Sequence, residues 1–193
     1  MSFPDSTAEE KARLRSAIRA ARRQLDPALK CESALAVAQR LQSLQQLEGA
    51  RLVLAYMPMN YELDILPAVE MLKKRGVSAA FPLCVENGGL RLFVPAEENG
   101  FVTGAYGILE PDTNTAREVS AEELDAIILP AIGFDRMGRR LGQGGGYYDR
   151  LLARTECLTI AVGFDCQLVE AVPTEPTDKA VDIIVTPREL VIP

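Results

Sequence analysis

Arg139, Arg140, Gly142, Gly144, Gly145, Gly146, Tyr147, Tyr148 and Asp149 fall within eleven consecutive positions. Two arginines, four closely spaced glycines, two tyrosines and an acid are suited to holding a phosphate. Glycine at this density costs folding entropy, and it marks backbone that takes a positive φ or lets a ligand approach closely. The segment leaves an apolar run at Pro130, turns, passes the glycines and enters a stretch that reads as a helix over Tyr147 to Arg154. Backbone N–H groups at such a start, with the helix dipole behind them, attract anions. One or two glycines would serve a tight turn, whereas four beside two arginines point to phosphate. Two standard loops are tested and fail at the same residue. A P-loop needs Gly-Lys-Ser/Thr where Gly146 is followed by Tyr147, and the dinucleotide fingerprint needs glycine at 147. Asp165 does imitate the ribose-binding acid, which that fingerprint places about 20 residues on.

Other positions are less specific by themselves. Asp149 suits either a dipole-favoured cap or a Mg²⁺ ligand beside phosphate oxygens. Lys11 and Arg15, one helical turn apart, read by spacing as a solvated face, and Glu62 reads as a loop acid. The chain has no histidine, which removes Ser-His-Asp and Cys-His catalysis. Its net charge of −6 argues against a nucleic-acid partner, because phosphate neutralisation needs a broad basic surface. Cys31, Cys84, Cys157 and Cys166 form no CxxC pair and are expected to be free, buried thiols. No apolar run approaches the roughly 20 residues of a membrane span, and the first residues lack the apolar core of a signal peptide. No membrane partner and a cytoplasmic location are therefore expected.

The elements that must position these residues alternate. Ser6 to Glu9 fits a capping box. The helix after it carries Leu14, Ile18, Ala21 and Leu25 on one face, with Lys11, Arg15, Arg19 and Arg22 as a basic stripe. Asp26-Pro27 opens a second helix running to about Leu47. Strands are expected over Arg51 to Met57, Val77 to Leu83, Leu90 to Val94, Ala126 to Leu129, Leu158 to Phe164 and Val181 to Val185. A helix is expected over Leu66 to Arg75, stopped by Gly76. Asn87-Gly88-Gly89 reads as a hairpin turn, and residues 95 to 119 as a long loop over a ligand site. Strands alternating with helices, several continuously apolar, predict an α/β sandwich with a mainly parallel sheet and one domain over residues 1–193. Ligands in such folds sit beyond the carboxyl ends of strands, marked here by Met57, Pro130, Phe164 and Val185.

At this level the residues resemble a known family. Arg140-Leu141-Gly142-Gln143-Gly144-Gly145-Gly146-Tyr147-Tyr148-Asp149, after Pro130 and Gly133-Phe134-Asp135, is similar to the signature of the 5-formyltetrahydrofolate cyclo-ligases. Lys11-x-x-x-Arg15, Met57, Glu62, Gly163-Phe164-Asp165-x-Gln167, Pro176-x-Asp178 and Asp182 follow in family order. The resemblance implies a three-layer α/β/α fold of the NagB/RpiA/CoA-transferase-like kind and an enzyme that uses ATP and Mg²⁺. It implies conversion of 5-formyltetrahydrofolate, with or without a polyglutamate tail, to 5,10-methenyltetrahydrofolate, ADP and phosphate. It places Lys11, Arg15 and the run Arg140 to Tyr148 on ATP. Met57, Glu62 and Gln143 to Tyr147 fall on the folate, and Asp149 and Asp182 on Mg²⁺. Arg140, Tyr147 and Glu62 are the expected catalytic residues, and a monomer is the expected state. The chain departs from the family in carrying Thr177 where histidine is frequent, and Gln143 where a larger or charged residue is frequent. An oxidoreductase with a dinucleotide site and a non-catalytic folate-binding module are the competing readings.

Overall fold

The computed structural model describes residues 6–85, 88–97, 100–104 and 107–193. In chain order the elements are α1 (Ser6–Arg23), α2 (Pro27–Gln42), β1 (Leu52–Leu54), α3 (Leu66–Lys73), β2 (Ser78–Cys84), β3 (Leu90–Val94), β4 (Phe101–Thr103), β5 (Leu109–Pro111), β6 (Arg117–Val119), β7 (Ala126–Pro130), β8 (Gly133–Asp135), β9 (Arg140–Leu141), α4 (Tyr147–Leu152), β10 (Leu158–Val162), β11 (Leu168–Val169), β12 (Ile183–Val185) and β13 (Leu190–Val191). The main sheet has the order β13-β12-β10-β7-β1-β2-β3-β6. Its five central strands run parallel, while β13, β3 and β6 pair antiparallel at the margins.

Alternate residues along the central strands face opposite layers. Val53, Ala55, Ile128 and Ile160 pack with α2 (Val37, Ala38, Leu41) and α3 (Ala68, Val69, Leu72). Leu52, Leu54, Ile127, Leu129 and Ala161 pack the other way, against Leu151 and Leu152 of α4. Helices on both faces of a mainly parallel sheet are the layered architecture that the sequence predicts. A second, three-stranded sheet in the order β11-β8-β9 carries α1 on top, through Ile18 against Ile132, Leu141 and Val172.

Local chemistry explains the element ends. The Asp26 carboxylate accepts from the Ala28 N–H at 2.7 Å, with Pro27 in the first turn of α2. Behind α3, Gly76 takes φ +85° and Val77 N–H closes onto Leu72 C=O at 3.1 Å. Helix α2 stops at Gln42 rather than near Leu47, because the chain bends there to bury Leu44 and Leu47 in a separate short turn. Residues 95–119 are not one loop: β4 pairs with β5, and β6 joins the sheet edge beside β3. Asn87 of the expected hairpin turn and the Ser6 side chain of the expected capping box lie outside what is described, while β2 and β3 do pair antiparallel. Cys31 and Cys84 are exposed rather than buried, and all four cysteines are free. No described helix is long and apolar enough to cross a membrane.

Candidate active-site cleft

Beyond the carboxyl ends of β1 and β7 lies a cleft of about 850 Å³. Its walls come from α1, the segment after β1, the start of β5, the glycine loop and the turn at 175–179. The structure brings Lys11, Arg15, Met57, Glu62 and the whole run Arg140 to Asp149 into this one cleft. Met57 and Pro130 mark its strand ends as expected, whereas Phe164 is buried in the core.

The glycine loop does not leave β7 directly. Between them β8 and β9 form a hairpin, fixed by the fully buried Asp135. That carboxylate accepts from the backbone N–H groups of Met137, Arg139 and Val172 and from Nε of Arg139 at 2.6 Å. Arg139 is thereby a structural partner outside the cleft, and Arg140 alone of the two arginines faces it. Gly144 and Gly146 take φ +105° and +66°, which bend the loop back into α4. A Cβ on Gly145 would stand 2.8 Å from the Tyr147 ring, so the glycine gives that ring its seat. Arg150 lies over the same ring, 5.3 Å from its centroid, and donates to Gly145 C=O and to Gly88 C=O. It ties the loop to the β2–β3 turn, and no sequence motif singled it out. Helix α4 has only six residues, ending before Arg154, so the loop amides and the cations outweigh its dipole.

The cations arrive from both ends of the chain. Lys11 is buried, and its Nζ donates to Glu175 Oε2 at 2.5 Å and Asp178 Oδ2 at 2.7 Å. Burial works against its charge, but the two acids win and hold its pKa above the usual value. For Asp178 burial pushes upward, and Lys11 with the Glu175 N–H overcomes it, leaving the carboxyl below its ordinary range. Arg15 Nε donates to Gly142 C=O at 2.9 Å, and Arg19 donates to the Gln143 side chain at 2.8 Å, so α1 grips the loop. The buried Arg140 donates from Nη2 to Asp149 Oδ1 at 2.5 Å, while its Nε is buried with no partner. An orphaned guanidinium nitrogen beside the cleft suits an incoming phosphate oxygen.

On the opposite wall, Glu62 Oε2 accepts from Met59 N–H at 3.1 Å. Burial raises its pKa above the ordinary carboxylate value, against the opposing pull of Met59 N–H, Arg22 and Gln143. Tyr148 and Tyr56 are raised mainly by burial and stay neutral hydroxyls.

Two acids are placed elsewhere than the sequence suggests. Asp182 does not meet Asp149: its Oδ2 accepts from Thr159 N–H at 2.8 Å and Thr159 Oγ1 at 2.6 Å, near the amino end of β10. Thr159 lies three ladder positions back from Val162, roughly 10 Å along the strand from the cleft edge. Asp165 accepts from Arg188 N–H and does not line the cleft, so it is not placed there as a ribose-reading acid. Of the two acids that the resemblance assigns to Mg²⁺, only Asp149 lines the cleft, where its carboxylate could meet the ion beside phosphate oxygens. Among the described residues no group of three His, Cys, Asp or Glu side chains forms a metal cage.

Comparison with known proteins follows the same lines. The model of the 5-formyltetrahydrofolate cyclo-ligase family matches residues 7–187. A 5-formyltetrahydrofolate cyclo-ligase of Escherichia coli K12 is 32% identical over 178 residues, covering 90% of this chain and 98% of its own. The NMR structure of an Aquifex aeolicus 5,10-methenyltetrahydrofolate synthetase superposes with a TM-score of 0.84 at 31% identity, over 94% of this chain and 92% of that one. A 5,10-methenyltetrahydrofolate synthetase from Mycoplasma pneumoniae shares the fold at 22% identity, with a TM-score of 0.75 over 92% of this chain and 98% of that one.

Proposed function

The chain belongs to the 5-formyltetrahydrofolate cyclo-ligase family, and from that premise we propose that its cleft binds ATP and 5-formyltetrahydrofolate together and releases 5,10-methenyltetrahydrofolate, ADP and phosphate. One observation carries the reading: Lys11, Arg15 and Arg140 line the same cleft as the glycine loop, and Glu62, whose carboxylate is not ion-paired among the described residues, lines it too. A phosphate chain and a pteridine need opposite surroundings, and this cleft offers both.

The chemical difficulty is that a formamide carbon is a weak electrophile and its oxygen a poor leaving group. Transfer of the γ-phosphoryl group to the formyl oxygen answers both. N10 then attacks the activated carbon and loses its proton, and the oxygen departs with phosphate as the ring closes. Phosphoryl transfer depends on positioning and charge stabilisation more than on covalent chemistry by the protein. Arg140, with its free Nε, takes the developing charge on the phosphoryl oxygens, and Lys11 and Arg15 orient the rest of the chain. The amides of residues 142–146 supply further donors, and Tyr147 and Met57 border the folate. Glu62 accepts from N–H donors of the pteridine and sets its orientation. Asp149 would hold Mg²⁺, which when bound supplies charge neutralisation at the phosphates.

The decisive experiment follows the rise of methenyl absorbance on mixing protein, 5-formyltetrahydrofolate and Mg²⁺ATP. An ATP-dependent rise is expected. Folate binding without that rise would leave a non-catalytic binding module, and binding of NADH in preference to ATP would favour an oxidoreductase.

A further inference from the structure

Resting on the reading of Glu62 as the folate-facing acceptor, we infer that Arg22 is a positioning residue: its buried guanidinium, set over the Tyr61 ring with Nε and Nη1 unpartnered, keeps the Glu62 carboxylate aimed at the cleft as an acceptor. Arg22 is 2% exposed, yet its Nε and Nη1 lack partners. Its guanidinium carbon sits 5.3 Å from the centroid of the Tyr61 ring, a cation–π contact. Tyr61 in turn donates to Met59 Sδ at 2.8 Å, and Met59 N–H donates to Glu62. The Glu62 N–H closes the turn onto Met59 C=O at 2.8 Å. Arg22, Tyr61, Met59 and Glu62 thus form one local unit, and Gln143 lies between Arg22 and the main cleft, lining the space on both sides.

A buried cation without hydrogen bonds weakens a fold, and an apolar side chain of similar volume would serve packing better. Arg22 is therefore where stability gives way to another requirement. The groups facing it are Arg19 on α1, Tyr61 and Glu62 on the segment after β1, and Cys166 on the turn after β10. Glu62 is the leading opposite charge among them. Glu62 itself faces Met59 N–H, Arg22 and Gln143, with the neutral hydroxyls of Tyr56 and Tyr148 nearby. Burial favours the protonated Glu62, and Arg22 is the cation opposing it. Protonation would exchange an acceptor for a donor at the atom that meets the pteridine N–H groups.

The test measures the dissociation constant for 5-formyltetrahydrofolate across the acid-to-neutral range, a quantity that needs no turnover. Affinity should fall as pH drops through the Glu62 pKa. In Arg22→Met that fall should begin at a measurably higher pH, while ATP affinity stays unchanged. Arg22→Lys, which keeps the charge, should follow the wild type, and Arg22→Met added to Glu62→Gln should cause no further loss. Superimposed profiles for Arg22→Met and wild type, or additive losses in the double variant, would each overturn the inference. Methenyl formation by the wild type, followed alongside, tests the proposed function separately.

Discussion

Arg140, Asp149 and Glu62 are the residues on which the proposed chemistry turns, and each makes a different demand. Arg140→Ala removes the guanidinium with the orphaned Nε, so kcat/KM for ATP should fall by about 10²-fold or more. Unchanged kinetics in that variant would count against the phosphate site. Asp149→Asn should keep the fold but raise the Mg²⁺ concentration needed for half-maximal activity by at least about tenfold; an unaltered magnesium dependence would remove the metal role. Glu62 makes a prediction about pH. Its pKa is raised in the folded protein, so the folded state binds that proton more tightly than the unfolded chain does. The ionised group therefore opposes folding, and the penalty develops as pH rises from the ordinary carboxylate range through the raised folded value. Glu62→Gln should melt higher than wild type at neutral pH, lose that advantage in acid, and bind folate more weakly. Equal melting temperatures at neutral pH would contradict this. At this scale the sequence was informative about types and less so about partners. Lys11, Arg15, Glu62 and Asp149 looked ordinary by spacing and gained weight from the family resemblance. Asp182 and Arg139 kept company that no motif reveals, with Thr159 and Asp135.

The glycine loop shows how an element gains its shape from backbone rather than side-chain chemistry. Gly146 takes φ +66° at the entry to α4, and a Cβ there would stand 2.7 Å from Arg150 Nη1. Gly146→Ala should therefore lose roughly 1–2 kcal/mol and displace Arg150 from the Tyr147 ring. A thermal melt would register a loss of about 2–8 °C, and the KM values for both substrates should rise together. A variant with wild-type melting and wild-type KM values would show that the loop tolerates another path. The density of glycine made this loop legible in the chain. The hairpin of β8 and β9 that carries it was not, because strands of two or three residues are too short to show alternation. For the same reason residues 95–119 read as a loop although they hold β4, β5 and β6. Longer patterns fared better: β3 lies over Leu90–Val94, as its apolar spacing predicts.

The arrangement of the whole molecule follows from two packing faces that the apolar strands require, and this much was legible in their alternation with helices. What no local pattern could give is closure. Gln167 is 1% exposed and joins three backbone groups, donating to Ala131 and Ile132 C=O and accepting from Phe164 N–H. It locks the end of β10 against the turn between β7 and β8, beneath the cleft. Lys11 meets Glu175 and Asp178 across more than 160 residues of chain, a contact that depends on every layer being in place. That contact, with the Arg140–Asp149 pair, has a further consequence for how the molecule meets its nucleotide. Lys11 and Arg140 are already neutralised by internal acids, so they gather little of the mobile ion cloud that bare arginines and lysines collect from solution. An arriving polyphosphate exchanges partners with carboxylates more than it expels dissolved anions. The affinity for ATP should therefore change only shallowly with ionic strength, read as the slope of a double-logarithmic plot of its KM against salt; a steep slope would contradict this.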